Sequence, residues 1–306
     1  MHHVDIDALE PARAHALTLT PDLGAPVEVP CTVIRGAQDG PTVLVTAGVH
    51  GAEYASIEAA SRMARTDPSE LRGTLIVLPI VNPPAFFARS IYVNPLDGKN
   101  LNRSFPGCAG GTFAERLAHW LTGTFFARAD ALIDLHGGDM IESLTPFSIT
   151  AAGHAPSLEL AEAFGLPLLV ESGGTGMTYA AATSLGVPAV LAEASGLGRW
   201  PDHEVERLTG GVQRALQHLG SLAGTPEPRP VRRLSTFAWL RSEHRGLWRP
   251  TVTGGDEVRA GQEVGTVHDL HGAVLQRATS PQDGVVLFAV ESLAIGVDDP
   301  LVGIGA

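Results

Sequence analysis

The stretch Pro41-Thr-Val-Leu-Val-Thr-Ala-Gly-Val-His-Gly-Ala-Glu53 decides the fold class of this 306-residue chain. Its β-branched run, Pro41 to Thr46, is bounded by Gly40 and Gly48, which is typical of a buried strand. Helix-forming residues follow from Glu53 to Ala64, so the pattern predicts a strand, a turn and a helix. In open α/β sheets, ligands bind beyond the carboxyl ends of strands, where this turn lies.

The alternation of strands and helices continues to about residue 219. Further buried strands are predicted at Thr74–Pro79, Ala131–Leu135 and Val187–Ala192, and further helices at Thr112–Phe126, Leu158–Ala163, Thr178–Leu185 and Glu204–Leu219. One or two short strands are expected in Met1–Ile34. Asn82–Gly111 is rich in Pro, Gly and Asn, and long irregular segments within a domain are usually functional. This pattern predicts an α/β domain with helices on both faces of the sheet.

The character of the sequence changes after Leu219. Thr225-Pro-Glu-Pro-Arg-Pro230 is typical of a linker. Short runs of period-two alternation with glycine turns follow it, which predicts a small all-β module. We therefore divide the chain into residues 1–228 and residues 229–306.

Composition limits the classes of partner and location. Hydrophobic residues make up 44% of the chain, enough for a sizeable core, and the net charge of −12 argues against nucleic acid as a partner. The two cysteines are too few for a disulfide framework. Met1–Pro11 has no apolar segment of a secretory signal, and no apolar run approaches the ~20 residues of a membrane span. We expect a cytoplasmic protein without a membrane partner.

Polar residues follow three of the predicted strands. His50 and Glu53 follow the first, His136 ends the strand Ala131–Leu135, and Glu193 follows Val187–Ala192. Because the carboxyl ends of such strands share one edge of the sheet, we expect these side chains to meet. Two histidines and one glutamate form a zinc ligand set that leaves a fourth position open for water. We predict one Zn²⁺ per subunit, with Asp134 available to hold the second N–H of His136.

The order of several motifs resembles a known family. They are Gly48-x-His50-Gly51-x-Glu53, Asp97-Gly-Lys-Asn-Leu-Asn-Arg-Ser-Phe-Pro-Gly107, Asp134-x-His136 and Pro188-Ala-Val-x-Ala-Glu193. Together they resemble the succinylglutamate desuccinylase/aspartoacylase family, over nearly the whole chain. The resemblance implies a three-layer zinc carboxypeptidase-like domain with a mixed central sheet, followed by a small barrel-sandwich-like β domain.

The resemblance also implies roles for individual residues. Asn102 and Arg103 match the pair that binds the substrate carboxylate, and a guanidinium can hold a carboxylate with two hydrogen bonds. Arg89 stands in the place of the arginine that stabilises the oxyanion. Glu193 matches the catalytic glutamate, which takes a proton from the attacking water and returns it to the leaving amine.

Several other residues compete for these roles. Asp139, Glu142 and Glu171 are alternative carboxylates for the proton transfer. The loop Gly173–Thr178 could line the acyl pocket, whereas packing is the favoured role for Tyr92 and Tyr179. The sequence contains neither H-E-x-x-H nor G-x-S-x-G, so a zincin or an α/β-hydrolase is unsupported.

The β module resembles lipoyl and biotinyl carrier domains, but its function must differ. Those modifications need a lysine, and the single lysine of the chain, Lys99, lies outside the module. A structural role, assembly into a homo-oligomer, or a cap over the active site remains for the module.

Three functions stay open at this point. The first is a deacylase or desuccinylase that hydrolyses the amide bond of a small N-acyl amino acid or related N-acyl amine. The second is a zinc carboxypeptidase acting on peptides, which would need an open cleft, and the third is a catalytically silent ligand-binding relative. The acyl group, the amine and the oligomeric state are not specified by the sequence.

Overall fold

The structure is a computed structural model that describes residue 6 and residues 8–306. The expectation that Met1–Pro11 contains no secretory signal falls largely outside this range. Among the described residues, no helix combines the length and the apolar character needed to cross a membrane.

A mixed nine-stranded sheet forms the centre of the larger unit. The first ten strands are β1 Arg13–Leu19, β2 Val29–Arg35, β3 Gln38–Ala47, β4 Arg72–Leu78, β5 Ala131–His136, β6 Glu142–Leu144, β7 Phe147–Ala151, β8 Leu168–Ser172, β9 Ala189–Glu193 and β10 Arg232–Leu234. All except β6 join the sheet, in the order β1-β2-β4-β3-β5-β9-β7-β8-β10. The neighbours β4, β3, β5 and β9 run parallel, and antiparallel pairs flank them.

Helices cover both faces of this sheet, as the sequence predicts. They are α1 Tyr54–Met63, α2 Pro83–Ala88, α3 Phe113–Thr124, α4 Ala155–Phe164, α5 Thr178–Ser184 and α6 Asp202–His218, with 3-10 turns at Pro68–Glu70, Leu101–Arg103 and Phe126–Arg128. Along β3, Val43 and Val45 pack with α1, α4 and α6, whereas Leu44 packs with α3 and α5. Burial on both faces explains why this strand is an uninterrupted apolar run.

The predicted strands and helices of the larger unit are all present, within a few residues at their ends. Asn82–Gly111 is largely irregular, as expected, and contains only α2 and one 3-10 turn. The sequence analysis missed the three strands β6, β7 and β8. They are three to five residues long, which is too short for a periodic pattern to identify.

The β module consists of two antiparallel sheets, in agreement with the sequence. Its strands are β11 Phe237–Arg241, β12 Gly246–Pro250, β13 Glu257–Val258, β14 Glu263–His268, β15 Val274–Thr279, β16 Gly284–Val290, β17 Ala294–Ile295 and β18 Pro300–Gly305. One sheet has the order β11-β18-β16-β13 and the other β15-β14-β12-β17. Trp248 is buried between them, and its indole Nε1 donates to the carbonyl of Val290 at 2.8 Å.

The two units exchange strands across their junction. β10 follows the proposed boundary at residue 228 but pairs with β8 in the central sheet. Conversely, β6 precedes the boundary in sequence but pairs with β16 of the β module. Phe147, Leu234 and Leu287 share one buried cluster at this junction. These connections hold the β module against the edge of the sheet where β5 and β9 end.

Candidate active site

Three neighbouring strand ends bring the predicted residues together. β5 lies between β3 and β9 and runs parallel to both. His136 and Glu193 are paired positions on β5 and β9, so their side chains leave the same face of the sheet. The turn after β3 carries His50 and Glu53 to this edge. The expectation that the strand ends would place these residues close together is therefore met.

His50, Glu53 and His136 form a compact group with metal-binding potential. All three are buried, and their candidate ligand atoms lie within 4.8 Å of one another. Nδ1 of His50 is 2.7 Å from Oε1 of Glu53, and Nδ1 of His136 is 3.0 Å from Oε2 of the same carboxylate. Both imidazoles thus present Nδ1 toward one shared carboxylate.

The second ring nitrogen, Nε2, of each imidazole also has a hydrogen-bond partner. Nε2 of His50 lies 3.0 Å from Oδ1 of Asn100, and Nε2 of His136 lies 2.9 Å from Oδ2 of Asp134. Asp134 is fully buried and also accepts hydrogen bonds from the hydroxyls of Thr46 and Thr178. Such partners fix the orientation of an imidazole and leave its other nitrogen free for a metal. The predicted role of Asp134 fits this geometry.

The turn between the ligands depends on close backbone packing. A Cβ atom at Gly51 would lie 2.1 Å from the backbone of Ala85, so only glycine fits there. The side-chain amide of Asn82 donates to the carbonyl of Val49 at 3.1 Å, and Asn94 in turn donates to Asn82 at 2.7 Å. The loop that carries His50 and Glu53 is therefore braced by the start of the irregular segment.

The pKa shifts of Glu53 and His136 show that this group favours a negative carboxylate next to a positive charge, as in a cation site. Burial raises the pKa of Glu53, but His136 and His50 outweigh that effect and lower it to about 2. Burial lowers the pKa of His136, but Asp134 and Glu53 raise it well above its ordinary value. The group thus favours a positive charge next to the Glu53 carboxylate, and a metal ion would supply that charge.

One buried oxygen supports the fit of a metal directly. Oε2 of Glu53 makes no hydrogen bond with any described residue, although Nδ1 of His136 lies 3.0 Å away. A buried carboxylate oxygen without a hydrogen bond is costly unless another partner satisfies it. Two imidazole nitrogens and a carboxylate oxygen are the ligands of a catalytic zinc site. The donor set and the unsatisfied oxygen both fit such an ion.

Glu193 stands beside this group with a strongly altered acidity. Burial raises its pKa to about 8, against the opposing influence of nearby His136. A carboxyl group with a pKa near neutral can both accept and return a proton during a reaction. This environment suits the proton-transfer role that the resemblance implies for Glu193.

A cavity of about 560 Å³ opens in front of these residues. Its walls come from the sheet edge, from the irregular segment and from the β module. The module contributes Phe237, Trp239, Arg241, Phe288 and the segment Asp298–Pro300. Gly174 and Met177 from the predicted pocket loop also line the cavity.

Asn102 and Arg103 lie on the wall of this cavity. Asn102 is buried, and its amide oxygen accepts from the backbone N–H of Thr178 at 3.0 Å. The Arg103 guanidinium donates to the carbonyl of Asn102 at 2.7 Å, and burial lowers its pKa. The 3-10 turn Leu101–Arg103 thus places both predicted residues where a substrate could reach them.

Arg89 occupies a different place from the one the resemblance implies. It is exposed at the end of α2 with a φ of 53° and lines a separate surface cavity with Tyr54, Phe86 and Trp200. It is absent from the walls of the cavity around Glu193. The structure therefore does not bring Arg89 together with the other predicted site residues, because α2 directs it to the outer side of the loop.

The alternative carboxylates lie around the site in distinct settings. Glu142 is buried on the cavity wall and accepts a hydrogen bond from the Tyr92 hydroxyl, and burial raises its pKa well above the usual value. Burial likewise raises the pKa of Asp139 to about 6. Glu171 lies off the cavity and accepts from the backbone of Gly153. Of the three, only Glu142 faces the cavity.

Sequence reasoning missed several residues of the site. Tyr92 lines the cavity and bonds Glu142, whereas packing was expected for it; Tyr179 is buried in the core and also lines the cavity. Asn100 was quoted within its motif, but the motif did not indicate its contact with His50. Arg241 and Trp239 carried no sequence signal, because their positions depend on how the β module docks.

Comparison with known proteins identifies the relatives of the chain. Residues 39–219 match the family model described as the succinylglutamate desuccinylase/aspartoacylase catalytic domain. The N-alpha-acetyl-L-2,4-diaminobutyric acid deacetylase of Halomonas elongata is 31% identical over 85% of this chain and 80% of its own length.

Two solved structures are similar over almost their whole length. A succinylglutamate desuccinylase/aspartoacylase from Rhodobacter sphaeroides is 30% identical with a TM-score of 0.85, over 97% of this chain and 98% of that one. The product-bound ectoine utilization protein EutE (DoeB) of Ruegeria pomeroyi is 28% identical with a TM-score of 0.86, over 98% of both chains. The similarity thus includes the β module as well as the larger unit.

Proposed function

The chain belongs to the succinylglutamate desuccinylase/aspartoacylase family, and on that premise we propose that it is a zinc-dependent deacylase of small N-acyl amino acids. The observation that carries the proposal is the position of Glu193 beside the His50, Glu53 and His136 group, on the wall of a cavity of about 560 Å³. A relative that removes an acetyl group from a diamino acid supports the same reaction class.

Each residue would contribute a separate part of the hydrolysis. Zinc bound by His50, Glu53 and His136 would lower the pKa of a water molecule and polarise the acyl carbonyl. Glu193 takes a proton from the attacking water and delivers it to the leaving amine, consistent with its raised pKa. Arg103, with Asn102 beside it, holds the carboxylate of the amino acid.

The proposed oxyanion role rests on the resemblance and not on the geometry of the cavity. Arg89 keeps that role only as an implication of the resemblance, since it lies on another face of the loop. Its assignment would require the segment after α2 to rearrange when substrate binds.

The shape of the cavity favours a small substrate over a peptide. Phe237, Trp239 and Phe288 of the β module line the same cavity as the residues of the sheet edge. A carboxypeptidase needs a cleft that is open along an extended chain. We therefore place the enzyme among deacylases and take N-acetylated 2,4-diaminobutyrate as the first substrate to test, because a relative acts on it.

The test is a turnover panel with the zinc-loaded protein. The panel contains N-acetyl and N-succinyl amino acids, Nα-acetyl-2,4-diaminobutyrate and dipeptides, and released amine is measured with and without a chelator. We expect chelator-sensitive turnover of at least one N-acyl amino acid and none of the dipeptides. One bound zinc with no turnover of any substrate would favour a silent ligand-binding relative instead.

A further inference from the structure

The β module places a second arginine on the wall of the active-site cavity. Phe237, Trp239 and Arg241 alternate along β11, so their side chains leave the same face of the strand and all three line the cavity. The pairing of β11 with β18 shifts by one residue between Leu240 and Arg241. The extra residue, Leu301, belongs to β18, so the alternation along β11 is unbroken up to Arg241.

The Arg241 guanidinium is held in place without being neutralised. It lies over the ring of Trp239, with 5.5 Å between Cζ and the ring centroid, and Nη1 donates to the backbone carbonyl of Asp298 at 2.6 Å. The nearest carboxylate among the described residues is that of Asp298, 3.8 Å away and 83% exposed. An ion pair of this length and exposure contributes little, so most of the donors of Arg241 remain available.

Arg103 of the larger unit provides a second guanidinium on the wall of the same cavity. Its guanidinium donates to the Asn102 carbonyl and forms no ion pair within 4.0 Å in residues 6 and 8–306. The charge of Arg241 contributes to the lowered pKa of Arg103, after the larger effect of burial, so the two cations are within electrostatic range. Two like charges in one cavity repel, and an anion between them would offset that repulsion.

We propose that Arg241 is a specificity-determining residue that binds, together with Arg103, the carboxylate on the amino acid half of the substrate. This inference rests on the proposed deacylase function. Each of the two structural units then supplies one guanidinium, and the β module is part of the substrate site rather than a remote appendage. Two charge-assisted contacts, one from each structural unit, would fix the orientation of the substrate relative to Glu193.

The experiment compares Arg241→Met with wild-type enzyme on matched substrates. For Nα-acetyl-2,4-diaminobutyrate, we expect KM to rise about tenfold or more while kcat changes little, because a charge-assisted contact is lost. The corresponding primary carboxamide, which lacks the carboxylate, should be nearly insensitive to the substitution. Arg241→Lys, which keeps the charge, should recover part of the affinity.

A control variant comes from the same module. Arg277 lies on β15 away from the cavity and pairs with Glu263 at 2.7 Å on the surface. Arg277→Met should leave both kinetic constants unchanged. An equal rise of KM for the acid and the carboxamide would overturn the proposal, and so would an effect confined to N-succinyl substrates, since the carboxylate recognised would then be on the acyl half.

Binding of the free amino acid separates this inference from the deacylase function. Titration calorimetry with 2,4-diaminobutyrate should show weaker binding to zinc-loaded Arg241→Met than to the wild type. If the wild type hydrolyses no N-acyl amino acid but binds 2,4-diaminobutyrate through Arg241, the deacylase proposal fails and this inference stands. Equal binding by both proteins, or no binding by the wild type, would overturn the inference.

Discussion

The His50 side chain is 10% exposed on one wall of the cavity, whereas the Arg241 side chain remains 47% exposed on another wall. We call the first the sheet-edge wall, formed by His50, Glu53 and Glu193 with buried His136 behind Glu53, and the second the module wall, formed by Phe237, Trp239, Arg241 and Phe288.

The two walls differ in how their polar groups are satisfied. On the sheet-edge wall, both ring nitrogens of each imidazole lie within 3.0 Å of an oxygen atom. Asp134, behind His136, accepts two further hydroxyl donors. On the module wall, Arg241 has a backbone carbonyl, an aromatic face and the exposed carboxylate of Asp298 at 3.8 Å. Buried networks fix geometry for bond-breaking chemistry, whereas a half-exposed cation can adjust to a ligand. We infer that the sheet-edge wall performs the reaction and the module wall selects the substrate.

His136→Ala should have the largest effect. Loss of this ligand removes the metal and leaves buried Asp134 without its imidazole partner, so kcat should fall on the order of 10³-fold or more. Zinc content by mass spectrometry and turnover of Nα-acetyl-2,4-diaminobutyrate measure the two consequences. His119→Ala, on the exposed side of α3, is the control. Zinc retained at wild-type affinity by His136→Ala would remove His136 from the ligand set.

Glu193→Gln should separate chemistry from metal binding on the same wall. The amide cannot accept the proton, so kcat should fall about 10²- to 10⁴-fold while zinc content stays at one equivalent. Glu171→Gln serves as the matched control, since Glu171 lies off the cavity. An unchanged kcat would transfer the proton-transfer role to another carboxylate, with Glu142 the first to test.

Trp248→Ala tests whether the module wall can be weakened without loss of the metal. Removing this buried indole should destabilise the protein by about 3–5 kcal/mol, measured by chemical denaturation. Zinc content should be unchanged, because all three ligands lie in the larger unit, while kcat/KM falls through a higher KM. Trp200→Ala, at a 56% exposed position, should change stability little. Loss of zinc from the Trp248 variant would show that the two walls are not separable in this way.

Glu115→Gln should have the smallest effect, a slight loss of stability. Glu115 lies on α3 and binds Lys99, in the loop that also carries Asn100 and Arg103. Hydrogen bonds from Lys99 and the Thr112 backbone lower the pKa of Glu115 to about 2. The lowered pKa means that its carboxylate stabilises the folded state above pH 4.5 and loses that effect as the pH falls toward 2. The Tm of the variant should therefore be slightly lower at pH 7, and the difference should shrink below pH 4.5. A difference that does not depend on pH would contradict this account.

The residues of the sheet-edge wall could be predicted from the sequence because short local patterns identify them. A buried strand followed by a polar residue predicts both the element and the edge at which the side chain appears. The parallel order of β3, β5 and β9 then brings His50, His136 and Glu193 together. Packing on both faces of the sheet gave these strands a signal strong enough to recognise.

The residues of the module wall could not be predicted, because their position depends on how the two units pack together. Arg241 faces the cavity only because β6 pairs with β16 and β10 joins the central sheet, so that the module is held at the strand ends. No local sequence pattern around Arg241 indicates that its side chain lines the cavity. The position of Arg89 is likewise set by tertiary structure: its place in the sequence resembles a family position, and the end of α2 turns it toward Tyr54 and Trp200.

The central claim is tested most directly by X-ray data from zinc-loaded crystals, collected on both sides of the zinc absorption edge. We expect a single anomalous peak at about 2.0–2.2 Å from Nδ1 of His50, Nδ1 of His136 and the Glu53 carboxylate. The absence of a peak in crystals that contain zinc, or a peak bound by other residues, would contradict the account.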